Sequence, residues 1–314
     1  MRVRRVLGAG IATALVMTAA AWTTTSSAQP YGSKSYWSEQ LGSDTPTRAK
    51  SSGIMGFLAQ DNNPNYVRLA GTTDDGKWGL PIYSGNSTSK VYDVRNSCSL
   101  RQPPEFGHVR IPRDARPDPT SDAAMVVYNR DRGLVYGFWH AHHDATSDTW
   151  SACGGTISYL GSNGLDGKLA ASNQPRNSGH RGLPPPMWAV RYAEIRKGAI
   201  HHVLRIAVHT TGCAHVFPMV GDECGTKAPD APPEGTRIRI KPGVSLSTLH
   251  LSPAALIIAR ALKRYGAIIG DQSSGSINLK VENTIADGKG WVWNGKLNPD
   301  SLRSIPLSDY EVVG

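Results

Sequence analysis

Short apolar runs recur about every ten residues from Tyr66 onward, and Gly, Pro, Asn and Asp separate them. This spacing is typical of chains built from many short β-strands joined by turns. With 33 glycines and 21 prolines, the chain leaves little room for long helices. The pattern therefore predicts a mainly β fold, arranged as a β-sandwich or jelly-roll. The clearest runs are 67–69, 82–83, 90–94, 124–128, 134–139 and 155–159.

One segment has a different period. Apolar residues follow the 3.6-residue helical repeat over about 252–265, with basic residues on the other face. Ser252 and Pro253 supply an N-cap and a first helical position, and Gly266 stands where a helix would end. We predict one amphipathic helix there, packed on the sheet because its apolar face must be buried.

The chain divides into three parts by composition. Residues 1–28 combine a basic start, an apolar run and a small-residue end, which is the pattern of a secretory signal peptide. Residues 29–59 are rich in Ser, Gly and Thr and predict a flexible N-terminal arm. We expect 60–314 to form a single β-rich domain. No later stretch is apolar over the length of a membrane span, so we expect no membrane-spanning segment. With the signal peptide, this predicts a secreted, extracellular protein, which we expect to be a monomer.

The charge is moderately basic. Removing Arg2, Arg4 and Arg5 with the signal lowers the formal net charge from +9 to +6. Such a surface suits a polyanionic glycan or a cell wall, although many soluble exported proteins carry a similar excess. Lys and Arg are scattered, without a basic tract interleaved with aromatic residues, and this disfavours nucleic-acid binding.

Four cysteines in an exported chain predict two disulfides. Cys213 and Cys224 enclose a short, turn-rich loop and form the natural local pair. Cys98 and Cys153 then pair across a longer loop. Because no Cys-x-x-Cys occurs, we expect structural bridges rather than a zinc ribbon or a redox motif.

The densest group of titratable residues lies between Gly179 and Ile206. It contains His180, His201, His202, Arg191, Arg205 and Glu194. We predict a strand over Ala199–Val208, in which His202 shares one face with Leu204 and Ile206. A histidine among apolar neighbours is partly desolvated and has a tunable proton affinity. The alternative is a core histidine bonded to a backbone carbonyl.

Three other residues of this segment have candidate roles. His180 lies in a Gly-flanked loop before a triple proline, a usual placement for a catalytic side chain on a rigid scaffold. Arg191 and Arg205 could hold an anionic substrate group. If Arg191 instead pairs with Glu194, the arginine is structural.

Incomplete or missing motifs disfavour several classes of site and enzyme. His140 and His142 would point the same way on a strand, but they lack a dependable third ligand, so no metal site is expected. The chain has no Gly-x-Ser-x-Gly, P-loop or Gly-x-Gly-x-x-Gly, which disfavours α/β hydrolases, NTPases and dinucleotide enzymes. A glycosidase needs two carboxylates, and no spacing selects a pair. The available carboxylates are Asp122, Asp131, Asp144, Glu194 and Asp271.

From about Asp122 to Asp271 the chain resembles an uncharacterised group of exported bacterial β-sandwich proteins that are candidates for carbohydrate activity. The resemblance rests on the runs 122–128 and 136–139, Gly154-Gly155, His180, and the runs 190–202, 232–237 and 258–266. Gly137 stands where the group often has Asp, so any mechanism using that carboxylate is absent here. The resemblance implies six positions to watch: Asp122, Trp139, His180, Arg191, Glu194 and His202.

Together these features favour a secreted enzyme that cleaves a polysaccharide, with lyase chemistry on an anionic glycan preferred. A lyase needs a proton-transfer residue and a cation for the substrate carboxylate, and this chain offers both types. The alternatives are a glycoside hydrolase, a non-catalytic glycan or cell-wall binding protein, and a structural protein with buried histidines. No cofactor is expected. The residues assigned are His180, His202, Asp122 and Glu194 for catalysis, and Arg191, Arg205 and Trp139 for substrate binding.

Overall fold

The structure is a computed structural model that describes residues 31–32 and 34–314. The predicted signal peptide, residues 1–28, lies outside the described residues. The described part contains fifteen strands and three α-helices. The helices are α1 (Ser51–Asp61), α2 (Tyr192–Lys197) and α3 (Pro253–Arg264).

The largest sheet has six strands. They are β1 (Arg68–Ala70), β11 (Leu204–Val208), β12 (Arg237–Ile240), β13 (Ala267–Gln272), β14 (Asn278–Lys280) and β15 (Tyr310–Val313). Their order across the sheet is β1, β14, β11, β13, β12, β15. Because β11 lies in the interior of this sheet, it can position side chains deep in the molecule.

A second sheet has four strands, β2 (Ile82–Gly85), β6 (Met125–Asn129), β7 (Leu134–Phe138) and β10 (Thr156–Tyr159). Their order is β10, β7, β6, β2. Two small sheets complete the described structure. One pairs β3 (Lys90–Tyr92) with β5 (Val109–Ile111), and the other contains β4 (Arg95–Asn96), β8 (His142–Asp144) and β9 (Thr149–Ala152).

The predicted mainly β class is confirmed. The finer prediction of a sandwich or jelly-roll is not confirmed by the strand pairing. The pairs β1–β14, β11–β13 and β2–β6 run parallel, whereas β6–β7 and β12–β15 run antiparallel. Jelly-rolls are antiparallel throughout.

The predicted amphipathic helix is confirmed as α3. The Ser252 hydroxyl accepts the backbone N–H of Ala255 at 3.2 Å, and Gly266 follows the helix with a left-handed φ of +70°. The apolar face includes Ile258 and Leu262, which are buried in the core of the six-stranded sheet beside β12. The N-cap at Ser252, the glycine after the helix and the 3.6-residue apolar period thus all correspond to the same helix.

The segment predicted to be a flexible arm, 29–59, is instead packed against the fold where it is described. Helix α1 covers most of its second half and contacts β15, and Trp37 and Leu58 are completely buried. The backbone N–H of Arg48 donates to Val312, whose own N–H donates to the Ser51 hydroxyl. The polar average composition concealed the few large apolar residues that anchor the segment.

The strand predicted over Ala199–Val208 is shorter in the structure. It begins at Leu204, and His202 lies in the connection before it. All five residues of β11 are buried. Protein covers both faces of this interior strand, so neither face borders a solvent-filled cleft. Side-chain alternation along the strand therefore could not place His202 in a cleft.

No helix among the described residues is long and apolar enough to cross a membrane. The six-stranded sheet and its helices form the larger apolar core, and a second core surrounds the four-stranded sheet. An ion pair links the two sheets, because Lys280 Nζ of β14 lies 3.1 Å from Asp122 Oδ2, just before β6.

Candidate functional site

The predicted site residues fall into separate groups rather than one cleft. Arg191, Glu194 and His202 meet near the start of β11, and we call them the core triad. His180 and Arg205 contact Asp271 at the far end of β13, where Gln272 pairs with the last residue of β11. His180 and His202 therefore lie in different environments.

The core triad is closed to substrate. His202 is 1% exposed, and its Nε2 lies 2.9 Å from Glu194 Oε1. The same oxygen lies 2.5 Å from Arg191 Nη2, and the other carboxylate oxygen accepts the Arg191 backbone N–H at 2.9 Å. Glu194 thus caps helix α2 and binds the side chains of both Arg191 and His202. Arg191 therefore forms the ion pair with Glu194 that the alternative, a structural role for the arginine, required.

Both ring nitrogens of His202 face oxygen atoms. Nδ1 lies 2.8 Å from the carbonyl oxygen of Val203, and Nε2 faces the Glu194 carboxylate. The ring is therefore held at both nitrogens inside the core. Burial raises the pKa of Glu194, but His202 and Arg191 outweigh burial and hold that pKa below its usual range. The core triad is a buried ion cluster, and this contradicts the prediction that His202 and Glu194 meet a polysaccharide.

His180 lies on a tight turn. The backbone N–H and C=O groups of His180 and Leu183 bond to one another in both directions at 2.9 Å. Arg181 and Gly182 occupy the tip with φ values of +50° and +107°. A Cβ on Gly182 would meet the carbonyl oxygen of Pro218 at 2.8 Å, so the tip can dock closely on the next loop only with glycine there.

That next loop is closed by the Cys213–Cys224 disulfide. The carbonyl of Arg181 accepts the N–H of Val220, which fastens the turn to this loop at 2.7 Å. Glu223 stands beside the bridge, and its carboxylate contacts Arg181 Nη2 at 3.0 Å. The disulfide therefore positions a carboxylate next to the turn.

Asp271 is the centre of this second group. We call it the turn cluster, and its members are His180, Arg181, Arg205, Glu223, Glu234 and Asp271. The carboxylate of Asp271 binds Arg205 and lies 3.1 Å from Arg181 Nη2. Burial raises the pKa of Asp271, but the charges of Arg205, His180 and Arg181 outweigh it and leave that pKa below its usual range. Asp271 is therefore ionised.

Glu234 binds Arg181 from the protein interior. Its side chain is fully buried, with one oxygen 2.9 Å from Arg181 Nε and the other accepting the backbone N–H of Glu223 at 3.0 Å. Burial raises the pKa of Glu234, and Arg181 opposes that shift. Three carboxylates surround two arginines, so the arginines carry no surplus positive charge.

His180 has the most exposed side chain of the turn cluster. Its side chain is 38% exposed, yet its Nε2 is buried without a hydrogen-bond partner. This nitrogen lies 3.7 Å from Asp271 Oδ1, and the ring meets Trp188 edge-on with centroids 6.4 Å apart. The exposed part of the ring is therefore the part that faces away from Asp271.

The remaining predicted residues lie elsewhere. Asp122 precedes β6, and its backbone carbonyl accepts the N–H of His140, which follows Trp139. Trp139 is exposed and its ring lies against that of His140, with centroids 3.9 Å apart. Asp122 and Trp139 thus share one end of the four-stranded sheet, away from both clusters, and Asp122 is paired with Lys280.

Gly137 is fixed by packing. A Cβ at this position would lie 2.5 Å from the ring of Trp188 and against the Thr156 hydroxyl. An aspartate could not fit without displacing Trp188. The carboxylate that the resembling group often carries here is therefore incompatible with this packing.

Both predicted disulfides, Cys98–Cys153 and Cys213–Cys224, are present. Among the described residues, no group of three or more His, Cys, Asp or Glu side chains is arranged to hold a metal ion.

The sequence did not single out Arg181, Glu223 or Glu234. Arg181 stands beside His180 in the same Gly-flanked loop, and this adjacency was the available signal. Asp271 was one of five carboxylates without a partner in sequence. Its contacts with residues 180 and 205 come only from folding.

Comparison with known proteins finds no family model that matches the chain, no significantly similar curated protein and no significantly similar solved structure. The resemblance to exported carbohydrate-active proteins therefore stays an expectation, and function has to be inferred from the side-chain geometry.

Proposed function

We propose that this chain is an exported enzyme that cleaves a polysaccharide by hydrolysis, with proton transfer at His180. One observation carries the proposal. A half-exposed histidine has one nitrogen buried 3.7 Å from an ionised carboxylate, that of Asp271. The two groups are too far apart for a hydrogen bond, but catalytic hydrogen bonds are often long in enzymes without bound substrate. In this proposal Asp271 orients the ring when Nε2 closes on it, and Nδ1 exchanges a proton with the substrate.

The charge balance of the turn cluster favours hydrolysis over elimination. A lyase acting on a uronate needs a cation that is available to the substrate carboxylate. Arg181 and Arg205 are both committed to carboxylates of the protein, and the carboxylates outnumber them. The turn cluster therefore offers no uncommitted guanidinium for the carboxylate of a uronate. For this reason we prefer hydrolysis to the lyase chemistry that the sequence favoured.

The carboxylates of the turn cluster act through its other side chains. Asp271 Oδ1 and Glu223 Oε1 both lie within 3.1 Å of Arg181 Nη2, so the guanidinium lies between them. Asp271 also binds Arg205, and the second oxygen of Glu223 accepts the backbone N–H of Gln272 at 2.8 Å. In this proposal the two carboxylates position Arg181 and His180, and His180 is the residue that transfers the proton.

The test is hydrolysis of a polysaccharide panel, neutral and uronate, by the chain from Gln29 onward. Release of reducing ends without the ultraviolet absorbance of unsaturated uronate is expected. His180→Ala should lose about 100-fold or more of the rate, the usual contribution of a positioned proton-transfer group. His108→Ala is the matched control, because His108 is exposed and far along the chain from the turn cluster.

Three outcomes would overturn the proposal: absence of product on every glycan, an unsaturated product, or undiminished activity in His180→Ala. A folded His180→Ala protein, verified by its thermal unfolding, is required for the comparison. Because His180 is on a surface turn, its truncation should leave the fold intact.

A further inference from the structure

A cleft of about 990 Å³ runs beside the edge strand β1. Its walls come from the loop after β1, including Thr72 and Asp74, from residues 249–252 before helix α3, and from the segment 291–304. Its volume is at the upper end of the range for small-molecule sites, which is room for more than one sugar ring. It contains none of the residues of the turn cluster.

Trp291 gives this cleft an aromatic wall. The side chain is 42% exposed although it is one of the largest apolar groups in the chain. Its indole N–H donates to the carbonyl oxygen of Thr72 at 2.9 Å, which fixes the ring in the wall. Because the polar edge is already bonded to the protein, the exposed part of the ring is its carbon surface. A rigid aromatic face of this kind is suited to stack on the C–H face of a sugar.

Polar side chains surround this aromatic wall. The lining includes the amides of Asn294 and Asn298 and the carboxylates of Asp74 and Asp300. Asp300 is held in place, because its Oδ1 accepts the Tyr66 hydroxyl at 3.0 Å. Amides offer both donors and acceptors, and carboxylates accept from hydroxyl groups. An aromatic platform with such groups around it matches a ligand that has an apolar face and a rim of hydroxyls.

The charges of the lining select among saccharides. The lining contains two carboxylates, Asp74 and Asp300, and two side chains of fixed positive charge, Lys296 and Arg303, so these formal charges balance. Such a lining does not attract a polyanion or a polycation. We propose that this cleft is a binding site for a neutral oligosaccharide, with Trp291 as its stacking platform.

The cleft is separate from the proposed catalytic group. Strands β14 and β11 lie between β1 and β13, which carries Asp271. Three steps of about 4.8 Å place the two strands roughly 14 Å apart. The inference shares the ligand class of the proposed function but not its residues, so either can fail alone.

The experiment measures binding of cellohexaose, xylohexaose, mannohexaose and hexagalacturonate to the chain from Gln29 onward by titration calorimetry. At least one neutral hexasaccharide should bind, and Trp291→Ala should weaken it at least about tenfold, which is the order expected for loss of an aromatic stacking contact. Trp291→Phe should retain part of the affinity because it keeps an aromatic face. Trp78→Ala is the matched control, since Trp78 is equally exposed but does not line the cleft.

The outcomes separate this proposal from the enzymatic one. Binding that survives in His180→Ala, together with loss of hydrolysis, supports both. Binding without hydrolysis by the unaltered protein supports the cleft and removes the enzyme. The cleft proposal is overturned if no neutral hexasaccharide binds, if hexagalacturonate binds more tightly, or if folded Trp291→Ala binds no differently from Trp78→Ala.

Discussion

Glu194→Gln is the sharpest test of the core triad. The substitution keeps the size and shape of the side chain and one acceptor oxygen for the helix cap, but it removes the negative charge. Arg191 and His202 then lose their counter-charge in a site where all three side chains are at most 9% exposed. Removing one partner of a buried ion pair costs about 3–5 kcal/mol.

The lower end of that range is expected here. The cost comes mainly from the Arg191 guanidinium, which cannot lose its charge and would be buried without a carboxylate, about 3 kcal/mol. That is a large fraction of the ~5–15 kcal/mol by which folded domains are usually stable.

Urea unfolding followed by tryptophan fluorescence measures this cost, because the chain contains 8 tryptophans. The midpoint should fall while the slope stays unchanged. Arg191→Met combined with Glu194→Gln removes both charges, and it should be at least ~1 kcal/mol more stable than Glu194→Gln alone. A Glu194→Gln protein within ~0.5 kcal/mol of the original, or a double variant less stable than the single one, would refute the assignment.

Three further predictions concern stability. The Glu194 carboxylate has a lowered pKa, so its stabilisation is fully present above the ordinary value of 4.5 and is lost as the pH falls below it. Acid titration of the unfolding midpoint should therefore be shallower in Glu194→Gln, and equal slopes would contradict this. Opening the Cys98–Cys153 bridge should cost about 4 kcal/mol and opening Cys213–Cys224 about 3 kcal/mol, because their separations are 55 and 11 residues. Alanine pairs in place of the cysteines, compared by calorimetry, test that order. Gly137→Ala should destabilise by about 1–3 kcal/mol because its Cβ meets the Trp188 ring. Gly56→Ala, in helix α1 with open space around it, should stabilise by up to about 1 kcal/mol, and thermal unfolding of the two distinguishes them.

Local signals in the sequence were sufficient for several features. Helix α3 was predicted because its cap, its period and its terminal glycine all belong to one short segment. The cysteine pairs followed from loop length. The same local approach failed for α1, whose apolar residues are diluted by Ser and Gly, and for His202, where alternation assumed a strand with one wet face. A central strand buried on both sides removes the basis of that assumption.

The turn cluster shows what local patterns cannot provide. Residues 180, 205 and 271 come together because β11 pairs with β13 and the turn docks on the disulfide loop. Those pairings depend on the order of strands in the sheet, which hydrophobic spacing does not determine. Sequence could therefore offer Asp271 only as one carboxylate among several. Its ionised state follows from contacts with groups distant along the chain.

The contact between the segment before α1 and strand β15 has a consequence for how the chain reaches its folded state. The carbonyl oxygen of Val312 accepts the backbone N–H of Arg48, and the N–H of Val312 donates to the Ser51 hydroxyl, 261 residues away in the sequence. Contacts between residues so far apart in sequence slow folding, because forming them closes a long loop and the chain loses conformational entropy before the contacts stabilise it.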